Sequence, residues 1–233
     1  MMDMDFEVTK PTLEQLNQTL LTCALCPRLV QWRQQVAREK RRAYRDFEYW
    51  GKPVPGFGDP SARIFIVGLA PGAHGSNRTG RQFTGDGSGD FLFPALYRAG
   101  LASQPTSSHR GDGLTLTNAY TAPVCRCAPP ANKPTPEEMR TCLPYLKQEL
   151  NLIKPTVIVV LGRIAFENIL RLHNLPIKTF VFAHGAEHPL AQGVTLLCSY
   201  HPSQQNTLTG KLTIPMFDAI WRRAVALTSK LPS

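Results

Sequence analysis

Four cysteines carry the most specific chemistry in this 233-residue sequence: Cys23-x2-Cys26 near the start and Cys127-x14-Cys142 about halfway along. A two-residue gap lets both sulfurs of one turn face a single centre, and the second pair closes a tetrad from a region the fold must bring alongside. Spacing alone leaves zinc, an iron–sulfur cluster and four plain buried thiols all open. The loop from Gly68 to Gly89 holds seven glycines in twenty-two residues, so backbone amides can approach a ligand at many points. It is neither a dinucleotide fingerprint nor a P-loop. Gly210-Lys211 supplies no P-loop either, because Gln205 stands at the leading glycine and Leu212 at the hydroxyl. Within the loop, Phe83 is suited to stacking on a planar base, or to anchoring a core, and Asp86 is the only carboxylate before Asp90, a reacting group or a helix cap. His201 leads a loop dense in amides and hydroxyls, unless His201-Pro202 is only a turn, and Asn132 sits in a rigid proline-rich turn that suits an aimed amide.

These groups need elements to hold them. Leu13, Leu16 and Leu20 give helical periodicity from Thr12 to Leu29, interrupted at the Cys23-Ala-Leu-Cys26-Pro knuckle. Arg28, Arg33, Arg38, Lys40, Arg41, Arg42 and Arg45 follow within eighteen residues, a density that suits a face against phosphate or a solvated helix. A proline- and glycine-rich link, Pro53 to Pro60, leads into the main body. Ala62 to Leu69, Leu114 to Tyr120, Thr156 to Leu161, Phe180 to Phe182 and Thr195 to Ser199 read as short strands. Helical stretches begin near Phe91 and run from Glu137 to Leu152, capped by Thr135, and from Arg163 to His173. This alternation predicts an α/β fold with a parallel sheet covered on both faces, and functional loops at the carboxyl ends of its strands.

The length fits a single domain, residues 1–233, in which the N-terminal helical and basic segment 1–60 is stapled on by two of the cysteines. Met1 to Glu7 is acidic with no apolar signal region, and the longest apolar run, Val157 to Leu161, is too short for a bilayer. A cytoplasmic protein with reduced thiols and no membrane partner is the expectation. The net charge of +9 and a pI near 9.5 favour a polyanionic partner without identifying it.

Taken together, the GLAPGAHGSNRTGRQFTGD loop, the RCAPPANKPTPEE turn, the HPSQQNTLTGKLT loop and the four-cysteine framework resemble the type b (family 5) iron–sulfur members of the uracil-DNA glycosylase superfamily, from about Cys23 to Trp221. The resemblance implies a three-layer α/β/α fold around a short parallel sheet and a [4Fe–4S] cluster on Cys23, Cys26, Cys127 and Cys142. It also implies excision of deaminated bases (uracil, hypoxanthine, xanthine) from double- and single-stranded DNA by a monomer. It places Asp86, Asn132 and His201 in catalysis and base recognition. Around the flipped base it sets Gly68, Leu69, Ala70, Pro71, Gly72 and Ala73, with Phe83 stacked on it. Gln204, Gln205 and Asn206 would enter the duplex, and Arg41 and Arg42 would hold phosphates. One departure stands out: where other members carry a carboxylate or amide after the first glycine, this chain has Leu69 and Ala70, which makes Asp86 the substitute for the water-activating group. The rival readings are a non-catalytic metal-stapled nucleic-acid-binding module and a hydrolase of free nucleotides. Cys125 and Cys198 read as ordinary strand cysteines.

Overall fold

The computed structural model describes residues 12–229, so the acidic start from Met1 to Glu7 lies outside the described residues. Two helices come first, α1 (Leu13–Leu21) and α2 (Pro27–Glu39), parted at the Cys23–Cys26 knuckle where the sequence ends the first of them. The chain breaks at the Cys23–Cys26 knuckle and Pro27 restarts it, because proline is preorganised for a first helical position and its missing N–H needs no partner there. Thr12 opens α1 with a reciprocal capping box to Gln15. The basic run ends in a 3-10 turn, Arg42–Tyr44, rather than a continued helix. Then follow β1 (Phe57–Gly58), β2 (Ile64–Gly68), α3 (Ser76–Thr79), α4 (Gly89–Arg98), β3 (Ala119–Pro123), α5 (Pro136–Ile153), β4 (Val157–Leu161), α6 (Arg163–Leu172), β5 (Glu187–Pro189), β6 (Thr195–Ser199), α7 (Gln204–Leu208) and α8 (Ile214–Thr228).

The sheet order is β1-β3-β2-β4-β6-β5, with the inner four strands parallel and the two short edge strands antiparallel. The inner strands are the near-continuous apolar runs that a doubly covered parallel sheet requires. Ile64, Ile66, Val157, Val159 and Leu197 face one core, closed by α4 and α8; Phe65, Val67, Ile158, Val160 and Leu196 face the other, closed by α5 and α6. Three layers result, as expected.

Two strand expectations shift. The strand expected over Leu114 to Tyr120 occupies Ala119–Pro123, because Asn118 has a left-handed backbone (φ 54°) that cannot continue a strand. Asn118 starts β3 instead: its N–H donates to Asp59 Oδ2 at 2.9 Å, and its Oδ1 accepts from Arg63 N at 2.9 Å. Phe180 to Phe182 forms no strand; that edge is supplied by β5. Among the described residues no helix is long and apolar enough to cross a membrane.

Candidate active site and cysteine cavity

The chain after β2 leads to α4 on one face of the sheet and the chain after β4 enters α6 on the other, so a crevice opens at their carboxyl ends, the usual ligand position in an open α/β sheet. A cleft of about 450 Å³ occupies it, lined by Leu69 after β2, Gly162 and Arg163 after β4, and Tyr200, His201 and Lys211 after β6.

Phe83 lies beside this cleft, its ring centroid 6.2 Å from that of His201. Its backbone is left-handed (φ 55°), a costly conformation for an aromatic residue, and the surroundings hold it there. Ser76 Oγ accepts from its N–H at 3.0 Å, and any side chain at Gly89 would overlap its carbonyl oxygen. A methyl group on Gly68 would stand 2.7 Å from the ring tip, so glycine at the end of β2 is what lets the ring lie across the strand end. Among the described residues, the amides of Ala70, Gly72 and Ala73 donate to no protein acceptor, and Pro71 has no N–H. The Gly72 carbonyl, by contrast, is pinned by the N–H of Asn77, whose buried side-chain amide reaches back to the Arg33 carbonyl at 3.2 Å and so ties the loop to α2.

Asp86 divides its carboxylate. Oδ1 accepts from the amides of Ser88 and Gly89, both at 3.1 Å, and so caps α4, while Oδ2 lies over Gly72 and Gly75. Burial raises its pKa above the usual carboxylate value; the two amides and Arg78 oppose this. His201 is held by Asn206, whose amide donates to the His201 carbonyl at 2.9 Å. Burial pushes the imidazole down to about 4, so the ring is neutral at neutral pH. Gln204 packs on Gly87, and Gln205 is exposed.

No hydrogen bond among the described residues joins Asn132 to this group. It has a left-handed backbone (φ 56°) in the turn after β3, is exposed, and its side chain makes no hydrogen bond among the described residues. The turn itself is anchored to α2, since Arg28 donates to the Lys133 carbonyl and to both Glu138 oxygens, and Thr135 caps α5 as the sequence predicts. Arg41 and Arg42 are exposed, and their segment flanks the glycine-rich loop. Tyr49 Oη lies 3.0 Å from His74 Nδ1, and the Arg78 guanidinium lies 4.2 Å from the Tyr44 ring centroid. Sequence reasoning missed Arg163 and Lys211, each over an aromatic ring of the cleft (Phe182 and Tyr200), and Leu208, which is 84% exposed on α7. Only the exposed leucine amid polar residues left a sequence signal.

Cys23, Cys26, Cys127 and Cys142 line one mostly apolar cavity together with Leu20, Leu29 and Tyr145. Among the described residues, no three His, Cys, Asp or Glu side chains are drawn in tightly around a single ion. The surroundings nevertheless suit a thiolate-bound centre. The Arg126 N–H donates to Cys142 Sγ at 3.3 Å, and Arg33 is buried with Nε and Nη1 lacking any protein partner. Burial pushes Cys26 up to about 11 and Cys127 up to about 12. Cys198 is a buried strand residue on β6. Cys125 lies just beyond β3, not in it, and its thiol hydrogen-bonds Cys142.

The uracil DNA glycosylase superfamily model matches residues 55–225. The chain is 56% identical over 205 residues to the type-5 uracil-DNA glycosylase of Thermus thermophilus, covering 88% of this chain and 93% of that protein. Identity to the type-5 uracil-DNA glycosylase of Mycobacterium leprae is 51% over 220 residues, 93% of this chain and 96% of the relative. The corresponding protein of Pyrobaculum aerophilum is 45% identical over 207 residues, 89% of each chain. A match that spans the sheet, the glycine-rich loop and the loop of His201, with relatives aligned over nearly their full length, places the chain within the uracil DNA glycosylase superfamily.

Proposed function

We propose that this chain is a DNA glycosylase that flips uracil out of DNA and hydrolyses its N-glycosidic bond, with hypoxanthine and xanthine as further substrates. The observation that carries this reading is the buried Phe83 ring, held by a left-handed backbone with its centroid 6.2 Å from that of His201, beside the strand-end cleft that His201 lines. A base inside a duplex presents no access to its glycosidic bond, so it must leave the stack. Phe83 receives its face. The unpartnered amides of Ala70, Gly72 and Ala73, with Asn132, meet its edge.

Water adds to C1′ as the C1′–N bond breaks, and the bonding pair departs on the base. A neutral imidazole at His201 donates its N–H to the carbonyl where that charge collects, without giving up the proton. The Asp86 oxygen left free by the cap faces the cationic sugar, orients the water and takes its surplus proton. Apolar Leu69 and Ala70 at the pocket edge set no polar filter against a larger purine. Gln204, Gln205, Asn206 and exposed Leu208 would fill the gap in the duplex, the Asn206 amide also holding the loop to the His201 carbonyl. Arg41, Arg42, Arg163 and Lys211 face phosphates.

The four thiols of Cys23, Cys26, Cys127 and Cys142 hold a [4Fe–4S] cluster in this reading. Its contribution is iron–thiolate bonding, which fastens the α1–α2 segment to β3 and α5. The protein acts as a monomer in the cytoplasm on single- and double-stranded DNA. Single-turnover assays on oligonucleotides bearing one uracil, hypoxanthine or xanthine test the function: alkali-labile abasic sites are expected. Tight DNA binding with no abasic product would instead favour the binding module, and turnover of free deoxyuridine nucleotides the small-molecule hydrolase.

A further inference from the structure

Three arginines belong to the cysteine region, Arg126 lining the cavity, Arg28 two residues after Cys26 and Arg33 at the Cys23 carbonyl, and two have carboxylates. Arg28 grips Glu138 bidentately, and Arg126, fully buried, pairs with Glu149, which also accepts from Tyr120 Oη. Arg33 differs. It is 5% exposed, lies one turn along α2 from the cavity residues Leu29 and Val30, and among the described residues has no carboxylate partner. Its one hydrogen bond is a long one, Nη2 to the Cys23 carbonyl at 3.4 Å, and both Nε and Nη1 are buried without an acceptor. A buried, permanently charged guanidinium with most of its donors idle is strongly unfavourable unless an anion faces it.

We propose that Arg33 is the built-in counter-cation of the iron–sulfur cluster, donating Nε–H and Nη1–H toward the sulfurs of the centre bound by Cys23, Cys26, Cys127 and Cys142. The inference rests on the reading that those thiols hold such a cluster. Four thiolates on an oxidised cubane leave a net charge of about −2, and hydrogen bonds and charge beside the sulfurs are what set its potential. A fixed positive charge stabilises the more negative, reduced form and therefore raises the reduction potential. The Arg33 main chain meanwhile receives the Asn77 amide, so the residue that compensates the cluster also anchors the base-binding loop.

The test compares wild type with Arg33→Gln, which keeps donors but drops the charge, and Arg33→Lys, which keeps the charge. All are purified anaerobically as full-length holoprotein. Iron and acid-labile sulfide per chain, midpoint potential by film voltammetry and the rate of iron loss to a chelator are measured. Arg33→Gln is expected to shift the potential negative and to speed iron loss by about tenfold or more, the usual cost of an outer-shell partner. Arg33→Lys should restore most of the potential. An unchanged potential and chelation rate in Arg33→Gln would overturn the proposal, as would equal shifts in both variants. If Arg33→Gln is recovered without iron, the Lys variant decides: retained iron supports the charge role and lost iron overturns it. Wild-type protein lacking iron and sulfide would defeat the cluster reading itself, a separate result.

Discussion

Asp86 Oδ2 lies so close over Gly75 that any side chain there would overlap the carboxylate. The same oxygen would stand 3.2 Å from a methyl on Gly72, so the two glycines form the floor on which Asp86 rests. Gly75→Ala should therefore rotate or lift the carboxylate away from the sugar. Since a displacement of about 1 Å can cost about 100-fold, a fall of about that size is expected in the single-turnover rate, with DNA affinity nearly unchanged. Asp86→Ala should cost about 10²–10⁴-fold. In the Asp86→Ala background, Gly75→Ala should add little, because both changes act through one group. Additive losses in that double mutant would mean that Gly75 serves the loop and not the carboxylate.

The pH profile separates Asp86 from His201. The raised Asp86 pKa predicts a rate that falls at acid pH with a limb above the ordinary carboxylate value of 3.8, because water activation needs the ionised form. Asp86→Asn should abolish the limb. His201, held down to about 4, should contribute no limb near its ordinary 6.5. The stability signs follow from proton binding. The stabilising share of Asp86 is complete below its unfolded value and is lost as pH rises through its higher folded value. His201 contributes fully above 6.5 and loses that contribution as pH falls toward about 4. A rate limb near 6.5 that survives Asp86→Asn and vanishes in His201→Asn would show that the imidazole titrates during turnover.

Much of this was legible in the residues. The cysteine spacing pointed to one shared cavity, and the doubly apolar strands to a covered parallel sheet. Thr135 read as a helix cap, and the structure bears this out with a full capping box to Glu138. Cap and reacting group were both readable for Asp86, but a cap that uses one oxygen and leaves the other clear of α4 was not. It depends on one oxygen meeting the amides of α4 while the other crosses to Gly72 and Gly75. Arg33 read as one charge in a basic run, because its burial arises from how α2 packs beside the Cys23 carbonyl and Asn77, a tertiary fact. Arg163 and Lys211 are far apart in sequence and meet only where β4 and β6 end side by side.

Cys142 and Cys125 should respond differently to the same substitution. Cys142 sits on α5, receives the Arg126 amide and lines the cavity, whereas Cys125 reaches it only by a hydrogen bond to Cys142. If the proposed cluster ties α5 to the N-terminal helices, Cys142→Ser should yield protein with less iron and poor solubility. Cys125→Ser should keep the iron and sulfide content of wild type. Equal iron loss in both, measured by metal analysis and visible absorbance, would put Cys125 among the ligands.

Salt dependence tests which cations meet the DNA backbone. Each phosphate contact adds roughly 0.9 log unit of affinity loss per log unit of salt on duplex DNA. Arg41 and Arg42 belong to a segment joined to the glycine-rich loop through Tyr49 and His74, and Arg163 and Lys211 line the cleft. If both pairs hold the strand, Arg41→Ala with Arg42→Ala should flatten the slope by about two such contacts, and Arg163→Ala with Lys211→Ala by about two more. The second pair should also lower the cleavage rate, because those cations stand beside His201 and fix the sugar–phosphate next to the flipped base, whereas the first pair should change affinity alone. An unchanged slope in the Arg41 and Arg42 double variant would assign that run to a solvated surface and leave the cleft cations and the loop after His201 to bind the backbone.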